Sequence, residues 1–267
     1  MPESLPGEHE LAVVMPVYNE EECIQEVVSA WMAVLDKEGI RFRMLILDDG
    51  STDGSLDELA ELAADERITI IRKPNTGHGP TVLLGYRYGV ETAGWVFQVD
   101  SDGEMPPESF PDLWHRRAEF NALFGYRKER RQQFARWLIT RCSRLTVACL
   151  LGGRVHDVNV PYRLMRSDVL VNVLPLIPES TFAPNLVIAG ALSRMDCRLC
   201  NHPVPHTHRK TGCTSIRSWR LWKASLKALA QTCACSLRIR RSVRKCKGRP
   251  RIATNTTTVG SQSRSPG

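Results

Sequence analysis

The stretch Trp95-Val96-Phe97-Gln98-Val99-Asp100-Ser101-Asp102-Gly103-Glu104 decides how the chain is read. Trp95, Phe97 and Val99 alternate, which predicts a buried strand. Three acids spaced by one residue follow it. Where a strand ends the backbone turns irregular, so Asp100, Asp102 and Glu104 need not diverge. Carboxylates crowded at a sheet edge repel one another unless a cation lies among them. Hard divalent ions such as Mg²⁺ or Mn²⁺ favour such oxygen ligands, with phosphate oxygens and water completing the shell. The plainer alternative is a solvated acidic loop ahead of a Pro-Pro turn.

Working outward, the same pattern recurs upstream. Leu11–Met15 reads as a strand, and Pro16-Val17-Tyr18-Asn19-Glu20 closes it. Ile24, Val27, Val28, Trp31 and Leu35 then recur at helical spacing, with Asn19 as the expected cap and Gly39 as the stop. Arg43–Leu47 is a second strand, followed by Asp48-Asp49-Gly50-Ser51-Thr52-Asp53-Gly54 and a helix from Ser55 to about Ala64. Asp53 is the expected cap of that helix. Ile68–Ile71 is a third strand, and Pro74–Pro80 leads into a helix from Thr81 to about Glu91.

Downstream, Ala122–Arg127 reads as a strand entering a basic loop, and about 132–151 as a helix. A short strand ends near Arg166. Helices are expected over Asp168–Leu174 and Phe182–Arg194, and a last strand over Arg198–Val204. Strands alternating with helices imply a mainly parallel, doubly wound sheet. Right-handed crossovers gather the strand-to-helix loops on one edge, where such sheets bind ligands.

Composition bounds the function. The chain has 267 residues, 42% of them hydrophobic, enough for one large α/β domain with an appendage. No apolar run is long enough to cross a bilayer, and the N-terminus lacks an apolar signal core. Nine scattered cysteines suit a reduced, cytoplasmic chain. The net charge of +7 is split: residues 1–196 carry −9, and the remainder, with no acid, carries +16. The basic end suggests an anionic partner. Nothing resembles a nucleic-acid recognition module, so none is expected as a partner.

Four motifs now stand in order: Pro16-Val-Tyr-Asn-Glu20, Leu47-Asp-Asp-Gly-Ser-Thr-Asp53, Asn75-x-Gly-x-Gly79 and Asp100-x-Asp102. Together, over about residues 10–215, they resemble the inverting family 2 glycosyltransferases of the GT-A fold, in particular the dolichyl- or polyprenyl-phosphate sugar transferases. The resemblance implies a Rossmann-like, mainly parallel sheet flanked by helices. It implies transfer of a hexose from a GDP- or UDP-sugar to a lipid phosphate, with Mg²⁺ or Mn²⁺ as cofactor. The alternative is the same donor site acting on a saccharide or other hydroxyl.

The resemblance also implies roles for residues. Pro16, Tyr18, Glu20 and Asp48 would form the base and ribose pocket, with Asp49, Asn75 and Gly77 beside the donor. Asp100 would meet ribose or metal, Asp102 would ligate the metal, and Glu104 would be a further ligand, although related enzymes often carry Gln there. His78 would line the pocket. Arg127, Arg130 and Arg131 would meet the acceptor phosphate, which suits a planar guanidinium fork. Asp157 and Arg163 would line the acceptor site or hold it together, with Asp157 available as a base. Arg209, with His208, would close over the diphosphate. Asp102, Asp157 and Arg127 are the expected catalytic residues.

One departure bears on the acceptor. Hydroxyl-directed relatives place a carboxylate base in the helix after this segment, but Ser180–Leu186 holds none after Glu179. A hydroxyl needs a base; a phosphate is already anionic. Cys197, Cys200, His202 and His206 are zinc-ligand types, yet strand alternation sets the two cysteines on opposite faces.

The C-terminal section divides at 215. Over 216–236, Ile216, Trp219, Trp222, Leu226 and Leu229 keep helical spacing with Arg217, Arg220, Lys223 and Lys227 between them. Such a helix suits either a membrane surface or a berth on the domain. Cys233 and Cys235 are candidate acylation sites. Residues 237–267 are expected to be a basic, disordered tail. Lacking a transmembrane helix, the protein would sit peripherally, with a membrane protein or lipid surface as partner.

Overall fold

A computed structural model describes residues 9–127, 160–195, 197–205, 231, 233–239 and 241. Among the described residues seven strands form one sheet: β1 (His9–Val17), β2 (Phe42–Asp48), β3 (Ile68–Arg72), β4 (Ala93–Val99), β5 (Ala122–Arg127), β6 (Tyr162–Arg166) and β7 (Leu199–Val204). Their order is β3-β2-β1-β4-β6-β5-β7. β1 pairs in parallel with β2 and β4, β2 with β3, and β5 with β7. β6 runs antiparallel between β4 and β5. The expected mainly parallel sheet is therefore present, with one reversed strand.

Among the described residues the helices packed on it include α1 (Ile24–Lys37), α2 (Ser55–Leu62), α3 (His78–Thr92), α4 (Phe110–His115), α5 (Ser167–Val173) and α6 (Pro184–Arg194). They cover both sheet faces. Leu11, Val13 and Met15 point into a core with Trp31 of α1 and Phe110 of α4. Ala12, Val14, Leu45 and Leu47 point into the other, with residues of α3, α5 and α6. Burial on both faces explains the near-continuous apolar runs of these strands. In β4, accordingly, Val96 and Gln98 are as buried as Phe97, and Trp95 is only half-buried.

Local chemistry shifts several expected boundaries. Asn19 does not cap α1; the helix begins four residues later, after Cys23, with no side-chain cap. α3 starts at His78 rather than Thr81, because Pro80 is tolerated in a first turn, where no backbone N–H is required. The helical turns over Pro107–Ser109, α4 and Arg117–Glu119 had no counterpart in the sequence reading.

Part of the C-terminal section belongs to the domain. Residues 233–239 are helical, past the expected boundary at 236, and Cys235 and Ile239 enter the core shared by α3, α5 and α6. Gln231 accepts the Phe182 N–H at 2.8 Å and donates to Ser180 O at 3.0 Å. Burial removes Cys235 from consideration for acylation, while Cys233 is exposed. Residues 216–230 of the expected basic helix lie outside the described residues.

Candidate active site

The ends of β1, β2, β3 and β4 share one rim, because parallel register aligns Val17 with Asp48 and Asp48 with Arg72. The loops leaving that rim are bound to one another. Asn19, in the left-handed region at φ 55°, donates its N–H to Ser51 Oγ at 3.0 Å and accepts from Thr52 N at 2.8 Å. Glu20 N donates to Ser55 Oγ at 2.8 Å. Asp53 accepts from both the N–H and the hydroxyl of Ser55, at 3.0 and 2.6 Å, and from Glu21 N. The N-cap of α2 is Gly54, without a side-chain cap, rather than the expected Asp53; through Ser55 and Glu21, Asp53 instead ties the first residue of α2 to the loop after β1.

The two neighbouring acids at the end of β2 do different work. Asp48 is fully buried; its Oδ1 accepts from Ser51 N at 3.0 Å. Its Oδ2 has no hydrogen-bond partner among the described residues, and the Arg72 guanidinium stands 4.0 Å away. Asp49 is turned into the loop after β3. It pairs with Lys73 and accepts from Thr76 N and Gly77 N, both at 2.9 Å. The contacts that Asp49 makes here fold the loop, so its expected place beside the donor stays a proposal. Gly77 supplies the turn at φ 92°, while Asn75 and Tyr18 remain exposed.

At the end of β4, Asp100 and Asp102 are half-buried on the rim. Asp100 Oδ1 lies 3.0 Å from His78 Nε2 and accepts from Gln98 Nε2 at 3.2 Å. Partial desolvation opposes the charge on the half-exposed His78 imidazole, but the nearby Asp100, Asp49 and Asp102 carboxylates outweigh it and hold the pKa above the ordinary value. Asp102 Oδ1 accepts from Glu104 N at 3.0 Å, closing the turn at Gly103. Glu104 instead faces Arg127, with Oε2 3.9 Å from Nη2. The expected trio of metal ligands is therefore not assembled. Among the described residues no three His, Cys, Asp or Glu side chains converge as a metal site. Asp100 and Asp102 still fit a cation of the Mg²⁺ class, which is commonly held by one or two carboxylates plus substrate phosphates.

Arg127 is largely covered, and its Nε is buried without a hydrogen-bond partner among the described residues. Arg163, expected at the acceptor phosphate, is fully buried. It donates to Val160 O at 2.9 Å and Asn185 O at 3.0 Å, and its guanidinium lies over Phe124. Its surroundings make it a structural tie, the other role the sequence allowed. Asp157, Arg130, Arg131, His208 and Arg209 lie outside the described residues. Cys197 and Cys200 pack into different cores, which disposes of a shared zinc.

Sequence reasoning missed a polar cluster beneath Asp100. Gln98, Tyr86 and Asn185 are buried and mutually hydrogen-bonded. The one available signal was Gln98 itself, a lone amide inside an apolar strand.

The model of a family described as glycosyl transferase family 2 matches residues 12–174, more than half of the chain. The protein belongs to glycosyl transferase family 2. Relatives within reach of sequence comparison include two undecaprenyl-phosphate 4-deoxy-4-formamido-L-arabinose transferases. That of Enterobacter sp. (strain 638) is 27% identical over 219 residues, 80% of this chain and 64% of the relative. That of Pseudomonas aeruginosa (strain LESB58) is 29% identical over 216 residues, 79% of this chain and 61% of the relative. The chain thus spans less than two thirds of the length of these relatives. Among solved structures, glucosyl-3-phosphoglycerate synthase from Mycobacterium tuberculosis in complex with Mn²⁺, UDP and phosphoglyceric acid has a TM-score of 0.65. It is 16% identical, covering 86% of this chain and 79% of that one. The family 2 chain therefore has the expected GT-A fold.

Proposed function

We propose that this family 2 protein is an inverting, metal-dependent glycosyltransferase that moves a sugar from a nucleotide diphosphate to a polyprenyl phosphate. The observation that carries the reading is the placement of Asp48 and the Asp100–Asp102 pair on one sheet edge, at the ends of strands that flank β1. Asp48 Oδ2 has no hydrogen-bond partner among the described residues, and an N–H of a uracil or guanine base would satisfy it. Exposed Tyr18 and half-buried Glu20 border the same edge and would complete the base and ribose pocket with Pro16. Asp100 and Asp102 would hold the cation against the donor diphosphate. Once bound, Mg²⁺ or Mn²⁺ would act as a Lewis acid that stabilises the departing nucleoside diphosphate.

The acceptor assignment draws on two supports. The relatives just described are named as undecaprenyl-phosphate sugar transferases. In addition, the helix that could have carried a base offers none: Asn185 is held in its amide contacts, and Glu179 pairs with Arg87 at the surface. A phosphate oxygen would attack the anomeric carbon without losing a proton first. Arg127, with Arg130 and Arg131, would orient that phosphate. No described helix is long and apolar enough to cross a membrane. The proposed location is accordingly the cytoplasmic membrane face, reached through the basic C-terminal section or a membrane-protein partner.

The test supplies Mn²⁺ or Mg²⁺, labelled UDP- and GDP-sugars, and undecaprenyl phosphate in detergent. Label is expected in the lipid fraction, with matching release of UDP or GDP. Folded protein that labels no lipid with any donor, yet glycosylates a saccharide hydroxyl, would overturn the acceptor assignment.

A further inference from the structure

Beneath the rim, on the sheet face covered by α3 and α6, lies a run of buried polar side chains that joins Asp100 to Arg163 of β6. Gln98 and Tyr86 are 0% exposed, Asn185 6% and Arg163 0%. Gln98 Nε2 donates to Asp100 Oδ1 at 3.2 Å. Gln98 Oε1 accepts from Asn185 Nδ2 at 2.8 Å and lies 2.8 Å from the Tyr86 hydroxyl. That hydroxyl is also 2.8 Å from Asn185 Oδ1, so its single proton is shared between two acceptors. The Asn185 carbonyl accepts from Arg163 Nη1 at 3.0 Å, and Arg163 pairs across the sheet with Gln98 in antiparallel register.

Polar groups placed in an apolar interior cost free energy unless they satisfy one another. These do, and the pattern permits one orientation of the Gln98 amide. A carboxylate oxygen only accepts, so the group facing Asp100 has to be Nε2. Oε1 is then left for Asn185 and Tyr86, the two donors behind it. Burial raises the Tyr86 pKa, which keeps the phenol protonated and able to donate.

We propose that Gln98, braced by Tyr86 and Asn185, is a positioning residue that fixes the Asp100 carboxylate for the nucleotide–cation pair. The inference rests on the donor site proposed above. Among the described residues Asp100 Oδ1 is engaged by Gln98 and His78, so Oδ2 is the oxygen that would face the ligand. Outer hydrogen-bonding partners of metal-binding carboxylates commonly change metal affinity by about 10- to 100-fold when removed.

The experiment is calorimetric titration of Mn²⁺ with UDP, and in parallel with GDP, into the full chain and its variants. Gln98→Met keeps length and bulk while removing both amide contacts. It is expected to weaken metal-dependent nucleotide binding about tenfold and to leave metal-free nucleotide binding unchanged. In an Asp100→Asn background the same change is expected to cost nothing further, since the two act as one unit. Tyr86→Phe removes one oxygen and little volume; about a threefold loss is expected, and it carries the same comparison if Gln98→Met does not fold. Gln98→Met and Tyr86→Phe binding like wild type, or an equal loss on top of Asp100→Asn, would overturn the inference. Wild-type protein that binds neither nucleotide with Mn²⁺ would instead sink the donor site itself.

Discussion

The Asp49 carboxylate accepts the Gly77 N–H at 2.9 Å, and so fastens the end of β2 to the turn that opens α3. Lys73 and the Thr76 N–H meet its other oxygen. Asp49→Ala would leave the Lys73 ammonium largely buried without its carboxylate, and two backbone N–H groups without an acceptor. A loss of about 3 kcal/mol in urea-unfolding free energy is expected. Asp49→Asn should retain part of it.

Glu104 and Asp102 stand two residues apart and should respond differently to losing charge. Asp102→Asn is expected to reduce turnover by about 100-fold or more, because charge stabilisation of the leaving diphosphate is lost. Glu104→Gln, whose side chain faces Arg127, should keep Mn²⁺-dependent nucleotide affinity within about threefold. Turnover and calorimetric Mn²⁺-dependent nucleotide affinity, each measured on both variants, separate the two. Equal losses would restore Glu104 to the metal.

Gly79 sits where α3 meets the backbone of the 181–182 turn. A Cβ there would lie well inside contact distance of Thr181 O and Phe182 O, and carbonyls on a packed turn cannot swing aside as a flexible side chain can. Gly79→Ala is expected to lower stability by about 1–3 kcal/mol in thermal unfolding. Gly77 has open space around its missing Cβ but a left-handed backbone, so Gly77→Ala would act through conformational strain instead.

Acid should loosen the junction at Asp53. Burial pushes its pKa up, but hydrogen bonds from the Ser55 hydroxyl, Ser55 N–H and Glu21 N–H outweigh this and hold it below the ordinary value. A depressed native pKa means that the unfolded chain takes up the proton first. The stabilisation is therefore complete above the unfolded-state value of about 3.9, and is lost as pH falls through the lower native value. Asp53→Asn should flatten the melting-temperature profile below about pH 4, with little change in its slope near neutrality.

The sequence was legible wherever a run of apolar residues ended in turn chemistry. Leu11–Met15, Arg43–Leu47 and Ile68–Ile71 lie within β1, β2 and β3 for that reason. The division of labour between Asp48 and Asp49 was not legible. Adjacent residues leave a strand in different directions, and only the fold shows which one meets Thr76 and Gly77. Glu104 misled because spacing records how close acids lie along the chain, not that Arg127 arrives from β5. The Tyr86–Gln98–Asn185 cluster was hidden by distance: Asn185 stands 87 residues from Gln98. The reversed β6 was likewise invisible, since a short apolar strand carries no mark of its direction.

The family match ends at residue 174, yet the hydrophobic interior does not. α6, then Cys235 and Ile239, cover the same core that α3 and α5 line, and Gln231 bolts them to the turn at 180–182. Anyone trimming this protein for expression by the limits of sequence similarity would cut away its lid and leave a greasy, aggregating remnant.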